Sequence, residues 1–424
     1  MREMIDSGVK WIGRIPSTWK VIRGKYILEY LQKPVRETDE VITCFRDGEV
    51  TLRSNRREDG FTISMKEIGY QGIDAGDLVV HGMDGFAGAI GISDSRGKAS
   101  PVLNVLGTNQ NKRFMMYYLR NMAYSNIFMA LSMGIRVRSC DLNWKKLGEL
   151  LYPVPCIDEQ NKIANFIDNR LHKISELHKN IQSQIDTLEN YKKSVITKAV
   201  TKGLNPDAPM KDSGIEWMGK IPEHWLTIKL KYLGNTKNGL TYKPENIVEA
   251  SGGKLVLRSS NIQQGKIVYH PDDVYVNSKD TSSIIEQNDI LLCARNGSRD
   301  LIGKNAIMLD SIDAYYGAFM MVYRCSNPQY IHYVLNSNIF DHYLGTFFTS
   351  TINQLTKRNF ENMVVPYTTS DEEQKEIVDY LKNRCVAIDN LIAKKRAQIS
   401  TLQTYKKSLI YEYVTGKKEV PFDE

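Results

Sequence analysis

Apolar residues recur at intervals of seven along two stretches of the chain. In the first they fall at Ile167, Ile174, Ile181, Leu188 and Val195, with Leu171, Leu177, Ile185, Tyr191 and Ala199 between them. In the second the corresponding positions are Leu381, Ile388, Lys395, Leu402 and Leu409, interleaved with Cys385, Leu391, Ile399, Tyr405 and Tyr413. Only Lys395 interrupts the stripe. Steps of three and four sustained over about six turns predict long, coiled-coil-like helices. Neither stretch holds an internal Pro or Gly, and Gly203 and Pro206 in "TKGLNP" supply stop signals for the first. Each helix is expected to bury its stripe against the other.

The remaining sequence, about 20–157 and 226–370, shows short apolar runs bounded by Gly, Asn and Asp, a pattern of strands and turns. The two regions echo each other faintly. "TLRSN" at Thr51 answers "VLRSSN" at Val256, "GDLVV" at Gly76 answers "NDILL" at Asn288, and the helical "FMMYYL" at Phe114 answers "YIHYVL" at Tyr330. Both read as α+β domains of similar design.

Elsewhere the duplication is plain. "DSGVKWIGRIPSTWKVIRGKYI" (6–27) and "DSGIEWMGKIPEHWLTIKLKYL" (212–233) agree at eleven of twenty-two positions without a gap. "DEQNKIANFIDNR" from Asp158 matches "EEQKEIVDYLKNR" from Glu372, and each runs on to "YKKS", at a constant spacing of 214 residues. Repeats of this kind fix the architecture before any motif is read. The order is an arm and domain (1–157), a helix (158–203), a second arm and domain (204–370), and a second helix with a tail (371–424). The second arm begins within about ten residues of the first helix's end, which favours an antiparallel pair and a pseudo-two-fold internal repeat.

The composition is 42% hydrophobic and 25% charged, ordinary for a folded protein. No run reaches the ~18 apolar residues of a membrane span, and "MREMIDSGVK" has no signal-peptide core, so an intracellular place is expected. Six cysteines without a CxxC pair favour free thiols. A net charge of +7 is compatible with a polyanionic partner.

Catalytic signatures fail on inspection. "GSRDLIGKN" from Gly297 has one residue too many for a phosphate loop, and Asn305 stands where a Ser or Thr would hold magnesium. "GMDGFAGAIG" lacks dinucleotide-loop spacing, "NPDAP" lacks the aromatic that stacks on a flipped base, "PDD" at Pro271 lacks a downstream acid-x-Lys, and the histidines form no metal-ligand grouping. Recognition chemistry remains. Arg53, Ser54, Asn55, Arg56 and Arg57 form a basic polar cluster in the first domain, to which "GIRVRS" adds Arg136 and Arg138. The second domain offers Arg258, Ser259, Ser260 and Asn261, then Arg295 and Asn296, then Lys357 and Arg358. Arg and Asn can pair bidentately with base edges, and Arg or Lys neutralise phosphates. Any one of these could equally be a solvated surface residue or a strand end that matters for packing.

The arms, the "DEQNKIANFID" and "EEQKEIVDYL" helix openings and the two-unit layout resemble the specificity subunit of type I restriction–modification enzymes, over essentially the whole chain. The resemblance implies two target-recognition domains, each reading half of a bipartite asymmetric site in double-stranded DNA. It implies antiparallel helices that set the spacing and meet two adenine-methyltransferase subunits. It also implies no catalytic site, metal or cofactor on this chain. S-adenosylmethionine would belong to the methyltransferase subunits, and ATP and magnesium to the restriction–translocase subunits that join that core. The setting would be the prokaryotic cytoplasm, at the nucleoid. Trp11, Trp19, Trp217, Trp225, Tyr191 and Tyr405, duplicated in the frame, are then expected on the partner-docking surface. A stand-alone DNA-binding protein dimerised through its helices, or a coiled-coil scaffold, stays open from the residues alone.

Overall fold

The heptad stretches fold as two uninterrupted helices, Ile157–Lys202 and Asp371–Val414, in the computed structural model, which describes residues 2–56, 67–131, 142–347 and 354–421. Asp158 and Glu159 open the first, and Asp371, Glu372 and Glu373 the second, where carboxylates favour the positive end of the helix dipole. Each helix stops at a left-handed glycine, Gly203 at φ +69° and Gly416 at φ +68°, a backbone state that other residues enter at a cost.

The chain divides into two compact units: residues 1–181 with 397–424, and residues 182–396. In the first, the start of the first helix lies beside the end of the second, with Phe166 and Tyr413 rings 4.6 Å apart. In the second, the end of the first helix lies beside the start of the second, and Lys192 meets Asp389 at 2.7 Å while Arg396 meets Glu189 at 2.9 Å. The helices therefore run antiparallel in both units.

The buried seam differs from the expected stripe at four places. Leu177, Tyr191, Leu391 and Tyr405 are each about half exposed. The seam of the second helix steps through Leu381, Cys385, Ile388 and Ile392, all buried. A 4-3 alternation thus selects the residue after Leu391. By the same step Lys192 and Lys406, not the tyrosines before them, turn inward as half-buried residues. The stem of Lys192 covers apolar surface while its ammonium reaches Asp389. Burial, and after it Arg120, holds the Lys406 ammonium below its usual value.

Each domain is built on a four-stranded antiparallel sheet, and the two sheets have the same order. In the first domain it runs Leu28–Leu31, Leu103–Thr108, Leu78–His81, Ile90–Ile92; in the second, Gly234–Asn238, Met320–Cys325, Ile290–Cys293, Asn305–Ile307. The faint echo "GDLVV"/"NDILL" marks an equivalent turn. Gly76 and Asn288 both have φ above +70°, and the aspartate that follows each is buried. Asp77 accepts from the Asp74 N–H at 2.9 Å, and Asp289 from the Glu286 N–H at 2.7 Å. The domains diverge around this core. The second adds a mixed sheet in which Lys254–Leu257 pairs in parallel with Ala314–Tyr316. The supposed phosphate loop leads to a buried Asn305, whose amide donates to the Gly303 carbonyl at 3.0 Å, a packing role.

A short strand closes each domain before its helix: Lys20–Arg23 on Leu151–Val154, and Leu226–Lys229 on Val364–Tyr367. The arms then lock onto the helices. Trp19 and Trp225 are buried, and their indole N–H groups donate to Glu159 at 2.9 Å and Glu373 at 3.0 Å. The next residue, Gln160 or Gln374, is also buried. Gln160 accepts from the Asn111 N–H at 2.9 Å and Gln374 from the Asn327 side chain at 2.5 Å. Trp19 and Trp225 are thus core residues, which corrects their expected place on a docking surface. A tryptophan with one polar atom is well suited to a core that supplies an acceptor.

Burial opposes the Glu373 charge, but hydrogen bonds from Thr368, His224 and Trp225 outweigh it and hold the carboxyl below its ordinary value of 4.5. A depressed carboxyl adds stability that is complete above that ordinary value and is lost as pH falls through the lower folded one. Glu373→Ala is expected to cost about 1–3 kcal/mol near neutrality by stranding a buried donor. Urea unfolding should show this gap between wild type and variant closing in acid; a gap that is constant with pH would remove Glu373's charge from the account.

Candidate nucleic-acid interface

Both "LRS" segments form one 3-10 turn at the end of a strand. Arg53–Asn55 follows Val50–Leu52, and Ser259–Asn261 follows Lys254–Leu257 with Arg258 at the junction. Each turn thus follows a strand end, one in a two-stranded hairpin and the other in the mixed sheet, and their surroundings differ.

In the first domain the cluster is tied to its own chain. Arg53 Nε donates to Thr43 Oγ1 at 3.2 Å, Ser54 Oγ to Glu40 at 3.1 Å, and Asn55 Nδ2 to Thr51 Oγ1 at 2.8 Å. Arg56 reaches Asp47 at 2.8 Å and Glu49 at 2.9 Å, with its guanidinium 4.1 Å from the Phe45 ring centre. Exposed pairs of this kind contribute little to stability and can exchange partners. Arg57, Arg136 and Arg138 lie outside the described residues.

In the second domain the structure joins three segments that are far apart in sequence. Asn296 Nδ2 donates to Ser259 Oγ at 3.1 Å, bringing the Arg295 segment to the Arg258 turn. The Leu355 N–H donates to the Ala294 carbonyl at 2.7 Å, bringing in the segment that leads to Lys357 and Arg358. Lys357 itself bonds the Thr236 carbonyl at 3.0 Å, and Arg295 sits over Phe319 with 5.3 Å to the ring centre. Beside the turn opens a cleft of about 730 Å³ lined by Arg258, Ser260, Gln263, His270, Asp272 and Lys304 among others. Arg258 Nε is buried there without a hydrogen-bond partner. Buried donors are normally paired, so an unpaired guanidinium N–H beside a polar cleft is suited to an incoming acceptor.

Asn261 has a different job. It is fully buried, and its amide donates to the Val268 carbonyl at 3.0 Å and to Asp273 at 2.8 Å. Gln263 and His270 were not singled out by sequence, and Asp272 and Lys304 stood there only within the rejected "PDD" and "GSRDLIGKN" motifs. Only the fold brings them to the turn, and no spacing rule points to them.

The remaining frame residues are divided. Trp11 is half-buried against the first core. Trp217 is 37% exposed and stacks on His342 with 4.3 Å between ring centres. Tyr191 and Tyr405 face outward. Among the described residues no group of His, Cys, Asp and Glu is placed to hold a metal ion, and no helix is long and apolar enough to cross a membrane.

Residues 222–401 match the family described as the type I restriction modification DNA specificity domain. Two curated proteins of Methanocaldococcus jannaschii are similar along their length. The putative type I restriction enzyme MjaX specificity subunit is 25% identical, with 96% of each chain covered. The type I restriction enzyme MjaVIII specificity subunit is 26% identical, covering 96% of this chain and 94% of that one. A solved chain from a study of complex assembly and conformational transition in a type I restriction–modification system has a like fold. Its TM-score is 0.67 at 13% identity, with 95% of this chain and 99% of that one covered. The duplicated frame, the domain match over residues 222–401 and the end-to-end likeness agree: the chain is similar along its length to type I restriction–modification specificity subunits.

Proposed function

We propose that this chain is the non-catalytic recognition subunit of a type I restriction–modification complex, and that each globular domain reads one half of a bipartite DNA site. One observation carries the reading. The two domains keep the same sheet order and the same buried turn, yet the Arg-Ser turn is tied to its own chain through Thr43 and Glu40 in the first and borders a polar cleft in the second. A fixed frame with two unlike faces suits two different half-sites held by one subunit. The long helices set the spacing of the half-sites and carry two methyltransferase subunits. Restriction–translocase subunits and the cofactors of both partners belong to the wider complex.

In the second domain Arg258 is the reader and Asn261 its support. Arg258→Ala is expected to weaken DNA binding by about 1–3 kcal/mol if it removes a bond to a base edge, with little change in melting. Asn261→Ala should instead lower the melting temperature. Anisotropy titration and thermal unfolding of the full chain measure the two effects, and the reverse assignment would place the turn's role in packing.

The first domain begins and ends on paired strands, so it can be exchanged as a block. Replacing residues about 20–157 with the domain of a related subunit should change one half of the methylated site and leave the other intact. Sequencing of N6-methyladenine in host DNA reads this directly; a change in both halves would defeat the two-reader reading.

Spacing is tested by length. One heptad added to each helix, after Leu188 and near Leu391, lengthens the pair by about 10.5 Å, or about three base pairs. Seven residues keep the apolar stripe in phase where three or four would not. The added pairs also turn one half-site by about 100°. Selection from a library of randomised spacers should therefore yield a longer spacer bound more weakly. An unchanged optimum at unchanged affinity would separate helix length from spacing.

A further inference from the structure

The eleven identities between the two arms divide into nine that build the arms and two that lie on an exposed turn, where Lys25 also meets Glu149 at 2.9 Å. Asp6 and Asp212 accept from the N–H of Gly8 and Gly214, at 3.0 and 2.8 Å. The Ser7 and Ser213 N–H groups bond the Gly13 and Gly219 carbonyls, both at 3.0 Å. All four of these glycines have positive φ. Ile15, Ile221, Pro16 and Pro222 are buried, and Trp19 and Trp225 reach the helix openings. Trp11, Ile22 and Ile228 pack on the cores, and Trp217 stacks on His342. The remaining pair is Lys25–Tyr26, repeated as Lys231–Tyr232.

Both dipeptides lie on an exposed 3-10 turn, Gly24–Tyr26 and Leu230–Tyr232. The tyrosines are 71% and 68% exposed, among the most exposed large apolar side chains of the protein. In each turn the lysine ammonium sits over the neighbouring ring, 5.6 and 5.0 Å from its centre. Two aromatic side chains held in water at equivalent places, with the same cation above each, are not explained by packing.

We infer that the two Lys-Tyr turns are paired clamps for the DNA sugar-phosphate backbone, one for each half-site. This rests on the DNA-recognition reading above. Charge decides between nucleic acid and protein as the occupant. The first turn packs on helix Trp144–Glu149, so Arg23, Lys25, Lys145 and Lys146 gather there against Glu149, which Arg23 and Lys25 both contact. The second packs on helix Lys357–Glu361 and gathers Lys229, Lys231, Lys357 and Arg358 against Glu361. Both rims have an excess of cations. Protein interfaces are depleted in lysine, whereas backbone contacts to DNA come from lysine, arginine and tyrosine hydroxyls and carry no sequence information. A contact that is indifferent to sequence is one that two unlike readers can have in common, and the arms preserve it while the domains between them diverge.

The test uses the full chain with non-specific and specific duplexes across a salt series, together with its methyltransferase partner. Lys25→Gln with Lys231→Gln should lower the slope of log affinity against log salt by about 1.8, at 0.9 for each phosphate no longer neutralised. The fall should be equal on both duplexes, and either change alone should give half of it. Lys25→Arg with Lys231→Arg should restore the slope, which guards against a folding defect. Tyr26→Phe with Tyr232→Phe should weaken binding about fivefold or more at an unchanged slope. The methylated sequence and the yield of the methyltransferase complex should not move. An unchanged slope, an altered methylated sequence, or loss of the methyltransferase with DNA binding intact would each overturn the inference while leaving the recognition reading in place. A wild-type chain and complex that bind no DNA would overturn both.

Discussion

A hydrogen bond from a buried indole to a glutamate on the first turn of a long helix holds this protein together, and it occurs twice. Trp19 meets Glu159, and Trp225 meets Glu373. The indole brings a large apolar surface into the core and has one polar atom to satisfy. The carboxylate sits where the helix dipole already favours negative charge. Around each of these bonds a core forms from arm, domain and both helices. In the first unit it includes Ile15, Trp19, Phe114, Ile167 and Ile410; in the second, Ile221, Trp225, Tyr330, Ile377 and Val200. The adjoining glutamines extend the same lock to the domains. Recognition turns can vary because what orients them is elsewhere.

Much of this was legible in the chain. Period-seven spacing located both helices, a gap-free repeat located both arms, and the weak "GDLVV"/"NDILL" echo marked a real turn with a left-handed residue and a buried aspartate. The phase of the seam was harder. Leu391 and Ile392 are both apolar, and periodicity alone does not choose between them. Half-buried Lys192 and Lys406 are the kind of seam residue that a hydrophobic pattern overlooks, since it scores the whole lysine as polar.

The recognition surface was less legible, for a physical reason. Arg258, Arg295 and Lys357 are predicted singly and meet only through the Asn296–Ser259 and Leu355–Ala294 bonds, which no linear spacing encodes. Asn261 looked like a reader and is a support, since an amide serves equally to bind a base or to tie down a loop. Trp19 and Trp225 stood out because they are rare and repeated, but repetition marks any constraint, and here it was the core.

The placement of Arg2 has a consequence for how the chain is made. Arg2 pairs with Glu159 and donates to the Gly416 carbonyl at 3.2 Å, and a Cβ on Gly416 would lie 2.5 Å from Pro16. Residues 182–396 form a continuous run, so every contact within that unit is available before residue 397 is synthesised. The other unit joins the first residues of the chain to the last helix and must wait. At about 5–20 residues per second, Trp19 meets Glu159 early, but Pro16 and Trp19 remain without their contact at Gly416 while some four hundred residues follow. The half that is begun first is the half that is finished last.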